Sequence, residues 1–273
     1  MEHISLILSD LDGTLFRDDK SVSNHTKETI IKAQQKGILF GISTSRALVN
    51  AVKFLDGINP DVVISNGGAL AFHRTKDGSQ EKIYDSEFTK EETQTLIEKT
   101  FQVLGKETVI SIDNEQGLYS NAGEDDFGDK FWTKVDFKNF HEAAMKVCIQ
   151  TLDKNAVEEI ASSIGIENVD YLPFSDIPWY KLTNKNATKE KAILAVSKAL
   201  KIPTQNIVAF GDDFNDIGML KLCGKGIAME NAIQEVKDIA DEICPSNEND
   251  GLAKWIERNC SEQKHHVISL FLS

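Results

Sequence analysis

Ile4-Ser5-Leu6-Ile7-Leu8-Ser9 runs straight into Asp10-Leu11-Asp12-Gly13-Thr14, and this junction decides the fold. A near-continuous β-prone run is the pattern of a strand buried on both faces, as in a parallel sheet. Acids placed directly after such a strand sit at its carboxyl end, where open α/β sheets bind ligands. Asp10 and Asp12 are two residues apart, so their side chains converge on one side. Gly13 permits the sharp turn that must follow. Taken alone, an Asp-Gly pair after a strand is equally an ordinary turn.

Outward from this junction, strand and helix signals alternate. Ser23 caps a helix carrying Ile30, Ile31 and Ala33, and Gly37 ends it. Residues 38–43 read as a strand, 47–55 as a short helix and 61–65 as a third strand. This β-α-β-α-β order implies a parallel sheet with right-handed crossovers. From about Lys82 the texture changes. Leu96, Ile97, Phe101 and Leu104, then Val157, Ile160, Ala161 and Ile164, recur at helical spacing between strand-like pieces at 108–113 and 145–151. The α/β texture returns at Thr188, which caps a helix bearing Ile193, Val196 and Leu200, with buried strands at 207–210 and 227–229. The tail after Cys260 is left unassigned.

Composition narrows the function. With 273 residues, 41% hydrophobic and 27% charged, the chain has enough apolar content to bury a core. Its 30 basic and 43 acidic residues leave a net charge of −13, which disfavours nonspecific binding to nucleic acid or anionic lipid. No apolar run approaches the ~18–20 residues that cross a bilayer, and the first ten residues lack the basic start and cleavage site of a signal peptide. Cys148, Cys223, Cys244 and Cys260 form no CxxC pair, so a cytoplasmic setting is expected. The six histidines pair with no Ser or Cys as a hydrolase triad would require, and no GxxxxGK[ST] loop is present.

A second acidic cluster, Gly211-Asp212-Asp213-Phe214-Asn215-Asp216, also follows a buried strand directly. Carboxylates gathered at two strand ends need a cation to offset their repulsion. Hard oxygen donors with room for water and phosphate favour Mg²⁺ over zinc. Neither cluster completes an EF-hand, which needs a glutamate at the twelfth loop position.

In order and spacing these clusters resemble the haloacid dehalogenase-like superfamily, specifically its Cof-type (class IIB) phosphatases, over nearly the whole chain. The resemblance is carried by Asp10-x-Asp12-Gly13-Thr14, by Ser43-Thr44-Ser45-Arg46, by Lys189 opening a helix, and by Gly211-Asp212-x-x-Asn215-Asp216. Three further stretches look like Cof-type markers: Ser65-Asn66-Gly67-Gly68, residues 227–232 and residues 246–251. The fold it implies is α/β, a Rossmann-like core of residues 1–81 and 185–273 with an α+β cap, 82–184, inserted between the second and third motifs. The activity it implies is Mg²⁺-dependent hydrolysis of a small phosphorylated metabolite, sugar phosphates foremost, by a monomer or homodimer. Asp10 would be the nucleophile and Asp12 the general acid and base. Thr44, Lys189 and Asn215 would bind phosphate or substrate, with Asn66, Gly67 and Arg46 as further candidates, although an ordinary salt bridge is the default for Arg46. The metal would be held by the side chains of Asp10 and Asp212 and the backbone carbonyl of Asp12, with Asp216 close by. A phosphotransferase or phosphomutase using the same aspartyl-phosphate is the alternative enzyme, and a phosphometabolite sensor the non-catalytic one.

Three positions depart from the family pattern: Ser45, Asn186 and Glu190 stand where glycine is common. Phe127, Phe131, Trp132 and Trp179 are candidates to line a cleft, although aromatics more often serve the core. The acidity also has an address. Residues 82–184 carry 10 basic and 20 acidic residues, which leads one to expect a substrate with a neutral or cationic body.

Overall fold

In a computed structural model of the chain, residues 3–53, 55, 57–122, 132–174 and 177–260 are described. β1 (Leu6–Ser9), α1 (Asn24–Gln35), β2 (Leu39–Ser43), α2 (Leu48–Val52) and β3 (Val62–Ser65) alternate as expected, and β4 (Leu70–Arg74) and β5 (Gln80–Asp85) follow as a hairpin. Next come α3 (Lys90–Leu104), β6 (Ile110–Asp113), β7 (Leu118–Ser120), β8 (Trp132–Lys134), β9 (Lys146–Gln150), α4 (Lys154–Ser162), β10 (Val169–Pro173) and β11 (Trp179–Asn184). α5 (Lys189–Leu200), β12 (Ile207–Gly211), α6 (Ile217–Leu222), β13 (Lys225–Met229), α7 (Gln234–Ile239), β14 (Glu242–Cys244) and α8 (Gly251–Cys260) complete the described elements. The tail after Cys260 lies outside the described residues.

Among the described residues these strands form two sheets. The larger is ordered β14-β13-β12-β1-β2-β3-β4-β5 and the smaller β10-β11-β9-β6-β7-β8. From β14 to β3 every pairing is parallel, with β1 between β12 and β2. β1 and β12 are buried along their whole length, which is why both read as unbroken β-prone runs. Ser23 Oγ accepts from the Thr26 amide at 3.0 Å, and Thr188 Oγ1 accepts from the Lys191 amide at 3.3 Å, so both expected caps start their helices.

The hairpin β4–β5 extends this sheet antiparallel, a feature the sequence did not signal. The expected boundary at 81/82 falls inside β5, a strand of the larger sheet. Gln80, Glu81 and Lys82 carry no apolar pattern because that edge is exposed.

In the smaller sheet, alternation sorts the side chains by face. Ile110, Ile112, Val147, Ile149, Tyr180 and Leu182 form one apolar cluster with Leu96 and Ile97 of α3 and Val157, Ile160 and Ala161 of α4. Ser111, Asp113, Lys146, Cys148, Lys181 and Thr183 occupy the alternate positions in register across β6, β9 and β11. No helix among the described residues is long and apolar enough to cross a membrane.

The larger unit has its own core, into which α8 inserts Trp255, edge-on to Phe210 with ring centroids 5.3 Å apart. We expect Trp255→Ala to cost ~3–5 kcal/mol, read as a lower urea midpoint. On the surface, His25 of α1 bonds Glu257 of α8 at 2.9 Å with Asp250 at 3.7 Å, and the Glu257 bond raises the imidazole pKa above its ordinary 6.5. A raised folded pKa stabilises below the unfolded value, and the gain is lost as pH rises through the folded one. His25→Gln should therefore lower the urea midpoint at pH 5.5 and leave it nearly unchanged at pH 8.5.

Candidate functional site

At the carboxyl end of β1 the chain breaks from the sheet, with the Asp10 amide still donating to Phe210 O at 3.0 Å. Gly13 takes φ +73°, and a side chain there would collide with the Asp212 carboxylate. The first acidic loop is thus folded directly onto the second. Thr14 Oγ1 donates to Asp212 Oδ1 at 2.6 Å. Asp216 Oδ2 accepts from the backbone amides of Asp212 at 2.9 Å and Asp213 at 3.1 Å, which fixes the turn after β12. Carboxylate oxygens of Asp10, Asp212 and Asp216 lie within 4.8 Å of one another.

Lys189, the first residue of α5, reaches into this cluster from 3% exposure. Its ammonium donates to Asp10 Oδ1 at 2.8 Å and Asp216 Oδ1 at 2.7 Å, and both charges hold its pKa above the ordinary value despite burial. Burial, reinforced by the charges of Asp216 and Asp212, pushes the Asp10 carboxyl up to about 7 against the pull of Lys189. Burial likewise raises Asp212 to about 6. Three crowded oxygen donors with excess negative charge are a donor set for a hard divalent cation.

Asp12 points to a different partner. Arg46 grips it with two bonds, Nε to Oδ2 at 2.6 Å and an Nη to Oδ1 at 2.7 Å, and Lys20 Nζ reaches Oδ1 at 2.9 Å. Against burial, which raises it, these contacts hold the Asp12 carboxyl below the usual range. Thr44 is buried at the end of β2, its Oγ1 accepting from the Arg46 amide at 3.1 Å. Asp10, Asp12, Thr44, Arg46, Asp212 and Asp216 line one cavity of about 330 Å³. Asn66 is buried with φ +53°, and neither polar atom of its side-chain amide has a hydrogen-bond partner among the described residues. It lines, with Gly67, Lys189 and exposed Asn215, a second cavity of about 230 Å³ that reaches the smaller sheet. Gly68 closes the arrangement: at φ +99° it lies so tightly on the Thr188–Lys189 backbone that no Cβ fits.

A profile of haloacid dehalogenase-like hydrolases matches residues 7–256. The chain belongs to that family. The Cof-type, class IIB resemblance drawn from the motifs stands, and the enzyme is a phosphatase of the HAD type. Among curated proteins, the chain is 26% identical to the 5-amino-6-(5-phospho-D-ribitylamino)uracil phosphatase YitU of Bacillus subtilis, over 92% of this chain and 96% of that one. It is 26% identical to the phosphoglycolate phosphatase of Methanopyrus kandleri, over 94% and 98% of the two chains. Among solved structures, the HAD subclass IIB sugar phosphatase BT4131 superposes with a TM-score of 0.71 at 23% identity, covering 93% of this chain and 98% of that one.

In this HAD hydrolase two of the marker stretches, 227–232 and 246–251, brace the first acidic loop. Asn231 Nδ2 donates to Gly13 O at 2.7 Å, while its Oδ1 accepts from the Asn247 amide at 3.1 Å. Asn247 Nδ2 in turn donates to Phe16 O at 3.0 Å and Asp18 Oδ1 at 3.1 Å. Sequence reasoning singled out these stretches without seeing what they hold. It missed Lys20 on Asp12 entirely, since nothing local marks that pairing. The three departures from the family pattern are accommodated. Asn186 does not adopt a positive φ among the described residues, so glycine's freedom is not needed there. Glu190 lies folded against Gly218, and Ser45 is exposed at the mouth of both cavities. Asp213 is an exposed loop residue that borders the cavity. Of the aromatic candidates, Trp179 is buried, Trp132 lies on the outer strand β8, and Phe127 and Phe131 lie outside the described residues.

Lys189→Met removes the cation shared by two buried carboxylates. Breaking one side of a buried pair typically costs ~3–5 kcal/mol, so we expect a loss of that order in urea unfolding at pH 7.

Proposed function

We propose that this enzyme is a Mg²⁺-dependent phosphomonoesterase acting on small phosphorylated metabolites, sugar phosphates foremost, through an aspartyl-phosphate on Asp10. The observation that carries the reading is the convergence of Asp10, Asp212 and Asp216 around the Lys189 ammonium. Asp10 and Asp212 would hold the metal by their side chains and Asp12 by its backbone carbonyl. Asp216, with both oxygens already engaged by Lys189 and backbone amides, would orient the set from close by. When bound, Mg²⁺ supplies charge neutralisation between the nucleophile and the phosphoryl oxygens.

The chain's own groups divide the rest of the work. A carboxylate oxygen of Asp10 attacks phosphorus as the bond to the leaving oxygen breaks, and Asp12 gives that oxygen a proton. Asp12 then takes a proton from the water that cleaves the aspartyl-phosphate, returning Asp10 to its carboxylate. Lys189, Thr44 and the side-chain amide of Asn66 would meet phosphoryl and substrate oxygens, with Asn215 and Gly67 at the cavity that continues outward. Arg46 and Lys20 favour the ionised form of Asp12 and occupy both its oxygens, so Asp12 would have to part from them to carry a proton. The smaller unit acts as a cap that excludes water and reads the substrate's body. The named substrates of the relatives share a phosphomonoester on a small polar body, which supports this class. The four buried free thiols fit a cytoplasmic setting.

Phosphate release from p-nitrophenyl phosphate and a panel of sugar phosphates tests the reading. Activity should appear with Mg²⁺, vanish in EDTA and return on adding Mg²⁺. Asp10→Asn should lower kcat about a thousandfold or more with little change in Tm; retention of full activity would overturn the nucleophile assignment.

A further inference from the structure

The smaller sheet turns its polar face toward the candidate site. Lys146, Asp170, Lys181 and Thr183 line the same cavity as Asn66 and Lys189, so the body of any ligand whose phosphate lies at Asp10 extends toward them. Lys146 has its charge met by Asp113, a buried partner on the neighbouring strand. Lys181 has no ion-pair or hydrogen-bond partner among the described residues. Burial and the charge of Lys146 lower its pKa, and the more weakly acting Cys148 and Asp170 do not make up the difference. Asp170 lies two strand positions from Leu172, the residue paired with Lys181, and forms no bond to it.

We infer that the leaving group of the substrate carries an anionic group, a carboxylate or a second phosphate, held by Lys181 with Lys146 beside it. The inference rests on the phosphomonoesterase reading and adds the substrate class to it. A half-buried ammonium without a counter-charge is costly, and a charge-assisted bond to a carboxylate or phosphate removes that cost. The expectation of a neutral or cationic body came from counting acids, and this inference replaces it. Glu91, Glu92 and Glu98 lie on α3 and Glu158 and Glu159 on α4, behind the opposite, apolar face of the sheet. Of the smaller sheet's charged residues, Lys146, Lys181 and Asp170 line the cavity.

Three hexitol derivatives of equal length test this: sorbitol 6-phosphate, 6-phosphogluconate and sorbitol 1,6-bisphosphate. The neutral compound is the reference, and the other two separate carboxylate from phosphate as the anion. We expect kcat/KM for at least one anionic compound to exceed that of the reference tenfold or more. Lys181→Gln should bring that ratio close to one, Lys181→Arg should preserve it, and Lys154→Gln, on the exposed side of α4, should leave all three rates unchanged. A reference compound hydrolysed as well as both anionic ones, or a preference that survives Lys181→Gln, overturns the inference. Calorimetric binding of the same compounds to Asp10→Asn reads the preference without turnover. A preference there that Lys181→Gln abolishes, with no phosphate released by the wild type, supports the anion site and counts against the phosphatase reading instead.

Discussion

A single ammonium group, that of Lys189, holds together three parts of the chain that are remote in sequence. It joins the end of β1 through Asp10 and the turn after β12 through Asp216, while opening α5 itself. A lysine at a helix start is unfavourable with the macrodipole, and two buried carboxylates repel each other. Each unfavourable placement is relieved by the other. Two further oxygens are engaged locally, Asp212 Oδ1 by Thr14 and Asp216 Oδ2 by backbone amides. The parallel sheet makes this possible, because adjacent β1 and β12 end side by side and deliver both acidic loops to one place.

The fold was legible where burial was complete. β1, β12 and β13 are interior strands whose apolar runs reflect cover on both faces, and α1 and α5 begin with side chains that accept from their first turns. The missed elements lack such local marks. β5 is an exposed edge, β10 contains Asp170 and Pro173, and β7, β8 and β14 are three residues each. Their strand character comes from partners far along the chain rather than from their own composition.

The candidate site divides in the same way. Asp10, Asp12, Thr44, Lys189, Asp212 and Asp216 stand at the ends of recognisable strands or the start of a recognisable helix, so position alone singled them out. Lys20, Lys146 and Lys181 look like ordinary solvated lysines in one dimension. Only the pairing of β9 with β11 puts Lys146 and Lys181 on one face, and only the fold of the first loop brings Lys20 to Asp12. Net charge says less about the cavity for a related reason, since summing over a segment discards the side of the sheet on which each charge lies.

The two-faced smaller sheet has an evolutionary consequence. Because neighbouring residues on β9 and β11 point to opposite sides, Val147 and Leu182 anchor the helices while Lys146, Lys181 and Thr183 face the cavity. Replacing Lys181 or Thr183 would change the cavity lining and leave the packing against α3 and α4 untouched, whereas Lys146 also answers the buried charge of Asp113. If the cavity reads the substrate, its lining at Lys181 and Thr183 is free to drift at little risk to folding, whereas Lys146 and the Lys189 cluster, each tied to buried carboxylates, admit no such independence.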